Sequence, residues 1–338
     1  MKKSQKIFIG IDVSKSKLDY CIVTDPTSNK HDFGIVSNDE KGIKKLMGTV
    51  AAINKQNDDV LYCFENTGVY SMPLCYWLQA GNFPYWIEAA LQIKRAKGIS
   101  RGKSDKADSK EIAFYAITHL HLYKPTQLPE KCFIELKLLL AEREKLIKSI
   151  RAFMTTGENK TFLPAEVLKK VLAHNKKTLT VLKKQLIAIE KLIKEIINNN
   201  ETIREQEKLL LSIPGVGNQT AINLIVTTHG FTRFKDWRKF ACYCGVAPFE
   251  YSSGSSIKGK TKVSHLANKK LKSLLNMAAL SAKKNYTEMK EYFERKVGEG
   301  KNKMLVMNAL RCKIISRSFA VIARKSPFVN MQKFKEAS

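Results

Sequence analysis

The sequence predicts an α/β domain followed by two helical regions, and three observations carry that reading. Short β-rich runs alternate with helical stretches over the first ninety residues. Residues 127–211 then change to a Leu/Ile/Lys/Glu composition at helical spacing, and a Pro-Gly-Val-Gly turn opens a further region just after residue 209. At 338 residues, 44% of them hydrophobic, the chain is long enough for two cored domains and a connecting element.

KIFIGIDV (6–13), LDYCIVTD (18–25) and HDFGIVSN (31–38) are compact β-rich runs separated by short polar turns, so they read as three hairpin-linked strands. Residues 39–56 take the helical period behind Asn38 and Asp39 as caps. VLYCFEN (60–66) is a fourth strand, 71–81 a short helix begun near Pro73, and PYWIEA (84–89) a fifth strand. The order βββαβαβ is that of the RNase H-like fold, an argument by analogy because spatial strand order cannot be read from sequence.

Two long helices follow, roughly 129–155 and 165–207, interrupted near Thr155–Pro164. Leu179, Leu182, Leu186, Ile189, Leu192, Ile193 and Ile196 form a stripe that needs a cover. An intramolecular helical hairpin and a dimerising coiled coil satisfy it equally. LLLSIPGVGNQTAINLIV (209–226) then has the shape of a helix-hairpin-helix, with Gly215 and Gly217 allowing tight turns and a helix N-terminus free to meet a phosphate. A plain inter-helix turn has the same pattern. YSSGSSIKGKTK (251–262) reads as a Ser/Gly/Lys loop, with Lys-rich helices beyond it to about residue 325. The boundaries are therefore 1–126, 127–208 and 209–326, with a tail at 327–338.

Lys and Arg number 59 against 31 Asp and Glu, a net charge of +28. That excess predicts attraction to polyanions, nucleic acid first and an anionic membrane surface second. No apolar run reaches 18 residues and MKKSQKIFIGID lacks a signal-peptide core, so a soluble cytoplasmic protein is expected. Seven scattered cysteines fit that compartment, without a disulfide framework. Cys242 and Cys244, with His265 as a third ligand, make a poor zinc site; buried thiols are the better reading.

The acidic residues are more pointed. Asp12 ends the first strand among Ile, Gly and Val, where a carboxylate needs a cation or hydrogen bonds. Glu65 ends the fourth strand in the same way. Asp105 and Asp108, spaced i, i+3 in SDKADSKEIAFYAI, share one face of a helix start. Taken alone, those two are ordinary complements of the helix dipole. Four carboxylates from three segments suit a hard divalent cation, Mg²⁺ or Mn²⁺, that bridges phosphate oxygens. Asp19, Asp25, Glu88 and Glu111 are rivals, Glu88 the most serious.

FIGIDVSKSKLDYCIV, ENTGVY and RGKSDKADSKEIAFYA, in that order, resemble the N-terminal domain of DEDD-type, RuvC-like insertion-sequence transposases, relatives of the Piv and MooV DNA invertases. LLLSIPGVGNQTAINLIV, FKDWRKFACYCGVAPFEYSSGSS and LKSLLNMAAL resemble the family's second domain, so the likeness spans nearly the whole chain. The resemblance implies a DNA-cutting and rejoining enzyme with a metal-binding tetrad at Asp12, Glu65, Asp105 and Asp108. It implies a nucleophilic serine at Ser253, with Ser252 as the neighbouring alternative and Ser255 and Ser256 behind them. It also implies guidance by a structured bridge RNA from the element's non-coding end, DNA partners at the element ends and target, a dimer or tetramer, and a nucleoid-associated bacterial setting. Basic groups at Lys94–Lys106, Lys169–Lys184 and Lys258–Lys272 could hold either nucleic acid. The chain departs from the family's Gly-Asn and Arg at Ala267-Asn268 and Lys272, and Lys lacks the bidentate fork for a phosphate. Two other readings compete: a Holliday-junction-type nuclease using the carboxylates and water, and a non-catalytic nucleic-acid binder. A sugar-kinase-like ATPase shares the GIDVS-like strand but has no second phosphate motif here.

Overall fold

The computed structural model describes residues 6–28, 30–54, 59–96, 104–155, 162–253, 257–263 and 267–330, with backbone alone over 248–262. The chain forms two compact units, Met1–Leu128 and Pro129–Ser338.

In the first unit the strands are β1 (Lys6–Val13), β2 (Lys17–Val23), β3 (Asp32–Ser37), β4 (Asp59–Glu65) and β5 (Tyr85–Glu88). The helices are α1 (Glu40–Ile53), α2 (Met72–Ala80), α3 (Ala90–Ala96) and α4 (Asp105–Thr118). One mixed sheet runs in the order β3-β2-β1-β4-β5, with β1, β2 and β3 antiparallel and β4 and β5 parallel to β1. The three hairpin strands and the helix behind Asp39 are as expected; the Asp39 carboxylate accepts from Gly42 N at 2.8 Å. Ser14 Oγ closes the β1–β2 turn, donating to Lys17 O at 2.8 Å.

Strand alternation divides the core. Ile7, Ile9, Ile11 and Val13 bury one face of β1 with Ile43 and Leu46 of α1 and Leu74 and Leu78 of α2. Phe8 on the opposite face packs with Cys21, Leu61, Cys63 and Trp86 and with Ile112, Ala113 and Ala116 of α4. The face that carries Phe8 therefore also carries Asp12, and α4 covers it.

The second unit is mostly helical: α5 (Lys131–Thr155), α6 (Ala165–Asn199), α7 (Glu201–Leu211), α8 (Asn218–Thr228) and α9 (Trp237–Tyr243). After them come β6 (Pro248–Ser253), β7 (Ile257–Val263), α10 (Lys269–Asn285), α11 (Thr287–Gly298) and α12 (Lys303–Arg324). Two expectations are corrected. The helix expected to run to residue 207 stops at Asn199, because Asn200 turns extended and its side chain caps α7, accepting from Ile203 N at 3.0 Å. The stretch expected as a loop at 251–262 is instead an antiparallel β-hairpin, β6 with β7. Its backbone pairing supplies order that the Ser/Gly/Lys composition conceals.

Helices α5 and α6 pack along each other, with Arg143 Nη2 2.8 Å from Glu190 Oε1. Ile193 of the stripe is buried with Leu136 and Leu140, whereas Leu192 stays exposed. Between α7 and α8, Gly215 has φ +83°, and a side-chain carbon there would sit 2.2 Å from Ala278 O. Only glycine fits that turn. No helix among the described residues is long and apolar enough to cross a membrane.

His229 ends α8 at φ 49°, its ring tilted against Phe133, and burial lowers its pKa to about 4. A folded state that resists this proton loses stability as pH falls from about 6.5, the unfolded value, towards about 4. Asn also tolerates the left-handed conformation. His229→Asn is therefore expected to remove part of the acid destabilisation between those pH values, read by urea melts across the range.

Candidate metal centre

The acidic residues meet at the open end of the β1–β4 pair. Asp12 lies two residues beyond Gly10 on the α4-covered face of β1. Along β1 and β4 the last paired residues are Ile11 and Phe64, so Asp12 and Glu65 are the next positions on neighbouring strands. In β2, Asp19 pairs directly with Asp12 and is 4% exposed. Side chains alternate along strands, so Asp19, Glu65 and Glu88 belong to the same face as Asp12.

Helix α4 brings the other two carboxylates. Ser104 caps it, its Oγ accepting from Ala107 N at 3.2 Å, and Asp105 and Asp108 occupy the first turn. The helix lies close against β1 at Gly10, where a side-chain carbon would fall 2.2 Å from Ser109 O and 2.3 Å from Ala113 N. Backbone atoms on both sides leave nothing flexible to give way. Gly10→Ala is thus expected to push α4 off the sheet and cost about 1–3 kcal/mol. Because Asp105 and Asp108 move with that helix, divalent-ion binding should weaken as well, which titration calorimetry would show.

Carboxylate oxygens of Asp12, Asp105 and Asp108 all lie within 4.8 Å of one another. Burial, and then the negative charges of Asp108, Asp105, Glu65 and Asp19, push the Asp12 carboxyl above its ordinary pKa. A carboxyl whose ionised form is opposed by burial and by the charges beside it suits a multivalent cation, and an all-oxygen donor set fits a hard one. Glu65 is outside the close trio and acts on Asp12 as a neighbouring charge.

Sequence reasoning missed Lys17. Its Nζ is 2.7 Å from Asp105 Oδ2 and 3.1 Å from Asp19 Oδ2, bridging β2 to α4. The signal was its position two residues before Asp19, on the same face of a strand beside β1. Among the rivals, Asp25 is a turn residue, accepting from Thr27 N at 2.9 Å and Thr27 Oγ1 at 2.7 Å. Glu88 pairs with Glu65 across β4 and β5 but is engaged by Ala89 N at 2.7 Å and Tyr115 Oη at 3.2 Å. Glu111 lies in α4 three residues past Asp108, outside the trio.

Ser253 ends β6, its backbone paired with Ile257, and Ser252 is paired with Lys258. Ser255 and Ser256 lie outside the described residues, as do His265 and the whole 97–103 stretch that precedes α4. All seven cysteines are free, and burial raises the thiol pKa of Cys244. Among the described residues no ligand group assembles around Cys242 and Cys244.

Two family models match in tandem. One, a transposase model of the DEDD IS110 type, covers residues 9–156; the other, described as transposase IS116/IS110/IS902 family, covers residues 207–294. The pilin gene-inverting protein of Moraxella lacunata is 28% identical over 327 residues, 96% of this chain and 98% of that protein. Its counterpart from Moraxella bovis is 27% identical over the same coverage. An insertion element IS110 uncharacterized 43.6 kDa protein of Streptomyces coelicolor is 32% identical over 114 residues, 34% of this chain and 28% of that protein. These matches define the chain as an enzyme of the DNA transposase and recombinase class. Within that class it is an IS110-type transposase, and its family points to divalent-metal use and a DNA substrate.

Proposed function

We propose that this chain is the transposase of a bacterial insertion sequence that cuts and rejoins DNA through Mg²⁺-dependent phosphodiester chemistry, with Ser253 as nucleophile and a structured RNA as guide. The observation that carries the reading is the convergence of Asp12, Asp105 and Asp108 within 4.8 Å in a chain of net charge +28. The strand order β3-β2-β1-β4-β5 supports an RNase H-like first domain, and the α7–turn–α8 segment supports a helix-hairpin-helix in the second. The three-part division at residues 126 and 208 belongs to the same reading, as does a homo-oligomer formed through the exposed apolar side chains of α6, Val181 and Ile187 among them.

Asp12, Asp105 and Asp108 would hold the ion, with Glu65 completing the tetrad. Once bound, a divalent ion stabilises charge on the attacking and leaving oxygens of an in-line displacement. Lys17 holds Asp105 through its ion pair and so keeps the first turn of α4 facing β1. Ser253 Oγ attacks phosphorus and loses its proton, one DNA bridging oxygen leaves and takes up a proton, and a phosphoserine diester conserves the bond. A hydroxyl of the incoming strand then displaces Ser253, which regains its proton. Both half-reactions are isoenergetic exchanges of one diester for another, so no external energy source is needed.

The names of the Moraxella relatives describe inversion of a pilin gene, a rearrangement that requires DNA to be cut and rejoined. The test is reconstitution of the purified chain with Mg²⁺, donor and target duplexes and RNA transcribed from the DNA flanking its coding region. Joined product that depends on that RNA is expected. Cutting without joining would instead favour a junction-type nuclease, and joining that ignores the RNA would remove the guide from the account.

A further inference from the structure

Apart from the acidic centre, the charged group least explained by its surroundings is Arg311 in α12. It is 4% exposed, and among the described residues its nearest partners are neutral. Nη1 donates to Asn308 Oδ1 at 2.6 Å, one turn earlier on the same helix, and Nη2 donates to Asn276 Oδ1 on α10. Among the described residues, Nε is buried without a hydrogen-bond partner. Six residues further on, Arg317 shows the ordinary solution, an ion pair with Glu288. A guanidinium taken out of water against amide dipoles alone carries an uncompensated charge, a costly arrangement that needs a counter-ion.

The geometry points to a phosphate. We propose that the Arg311 guanidinium binds a single phosphate of a nucleic-acid backbone in the second unit, in the places that the Asn276 and Asn308 amides occupy. The two nitrogens of the fork each hold one oxygen, the arrangement a bidentate oxyanion takes. Asn276 and Asn308 are both half-buried, so either amide can turn outward and give its place to a phosphate oxygen. Lys272 lies one turn before Asn276 on the same face of α10 and adds a second cation. The position in the fold is also apt. Cys312 Sγ lies 3.6 Å from Val246 O just before β6, and Asn268 N donates to Tyr243 O at 2.9 Å just after β7. The root of the β6–β7 hairpin thus rests on the turn of α12 that carries Arg311.

The inference rests on the proposed function only for the source of the phosphate, and it is independent of which serine reacts. The test uses the full chain, a duplex oligonucleotide of the element end, and Arg311→Met. Neutralising one phosphate contact should lower the slope of log affinity against log salt by about one and weaken binding about fivefold or more at moderate salt. Inorganic phosphate should raise the melting temperature of the wild type and leave Arg311→Met unmoved. Since the Met variant removes an uncompensated buried charge, it should melt no lower than the wild type. An unchanged salt slope with a lower melting temperature would make Arg311 a structural strut and overturn the site. If Arg311→Met does not fold, Asn308→Ala decides. Freeing one arm of the fork should enlarge the phosphate-dependent rise in melting temperature, and no rise in either protein would overturn the proposal. Strand joining is a separate readout: a wild type that binds with the expected slope but neither cuts nor joins would sink the function and leave this site standing.

Discussion

Asp12→Asn is expected to melt at a higher temperature than the wild type without divalent ions, and to lose strand cutting by a factor on the order of 10³, the effect of removing about 4 kcal/mol of charge stabilisation. Both signs follow from one cause. Burial and the neighbouring charges of Asp108, Asp105, Glu65 and Asp19 raise the Asp12 carboxyl above its usual pKa, so its ionised form opposes folding at neutral pH. A raised acid binds its proton more readily in the folded chain than in the unfolded one. The metal-free wild type should therefore lose stability as pH climbs through and above the ordinary carboxylate value of 3.8, and Asp12→Asn should flatten that dependence. Adding Mg²⁺ or Mn²⁺ should stabilise the wild type, because an ion bound only by the folded chain shifts the equilibrium, and should stabilise the variant much less. Calorimetric melts at two pH values, with and without the ion, read the stability changes, and a DNA-cleavage assay reads the loss of cutting. A variant that melts lower than the wild type, with an undiminished response to the ion, would remove Asp12 from the centre.

Ser253→Ala is expected to abolish strand joining, by a factor on the order of 10⁴ or more, as loss of a covalent nucleophile does. Its melting temperature should stay close to that of the wild type, since the β6–β7 backbone pairing does not need the hydroxyl. Ser252→Ala is the matched control, expected to retain joining. The reverse result would move the nucleophile to Ser252. Joining by both variants would remove serine chemistry and return the function to carboxylates and water.

Much of the first unit was legible because its signals are local. The compact β-rich runs KIFIGIDV and VLYCFEN mark two strands, each with faces that pack on different helices, and the acidic pair Asp105 and Asp108 marks the start of α4. Asp12, Asp105 and Asp108 could be nominated because each ends or begins an element. The meeting of those elements depends on Gly10, whose missing side chain admits the backbone of α4, and spacing says nothing of that approach. Lys17 was invisible for a similar reason: it matters through an ion pair to Asp105, 88 residues away. The β6–β7 hairpin escaped because Ser, Gly and Lys have little strand preference and pairing alone orders them. The break at Asn200 escaped because its neighbours keep a helical composition on both sides, so only the side-chain cap reveals it. Ser253 was named through resemblance, and nothing in the local composition distinguishes it from the serines around it.

The most direct measurement traps the intermediate. A nicked DNA substrate that loses its leaving strand after cutting should hold the chain in covalent linkage, to be digested and mapped by mass spectrometry. The account predicts a DNA adduct on the peptide containing Ser253, formed by the wild type with Mg²⁺ and absent both with chelator and in Asp12→Asn. An adduct that still forms in Asp12→Asn, or joined DNA from a wild type that never carries one, would contradict it.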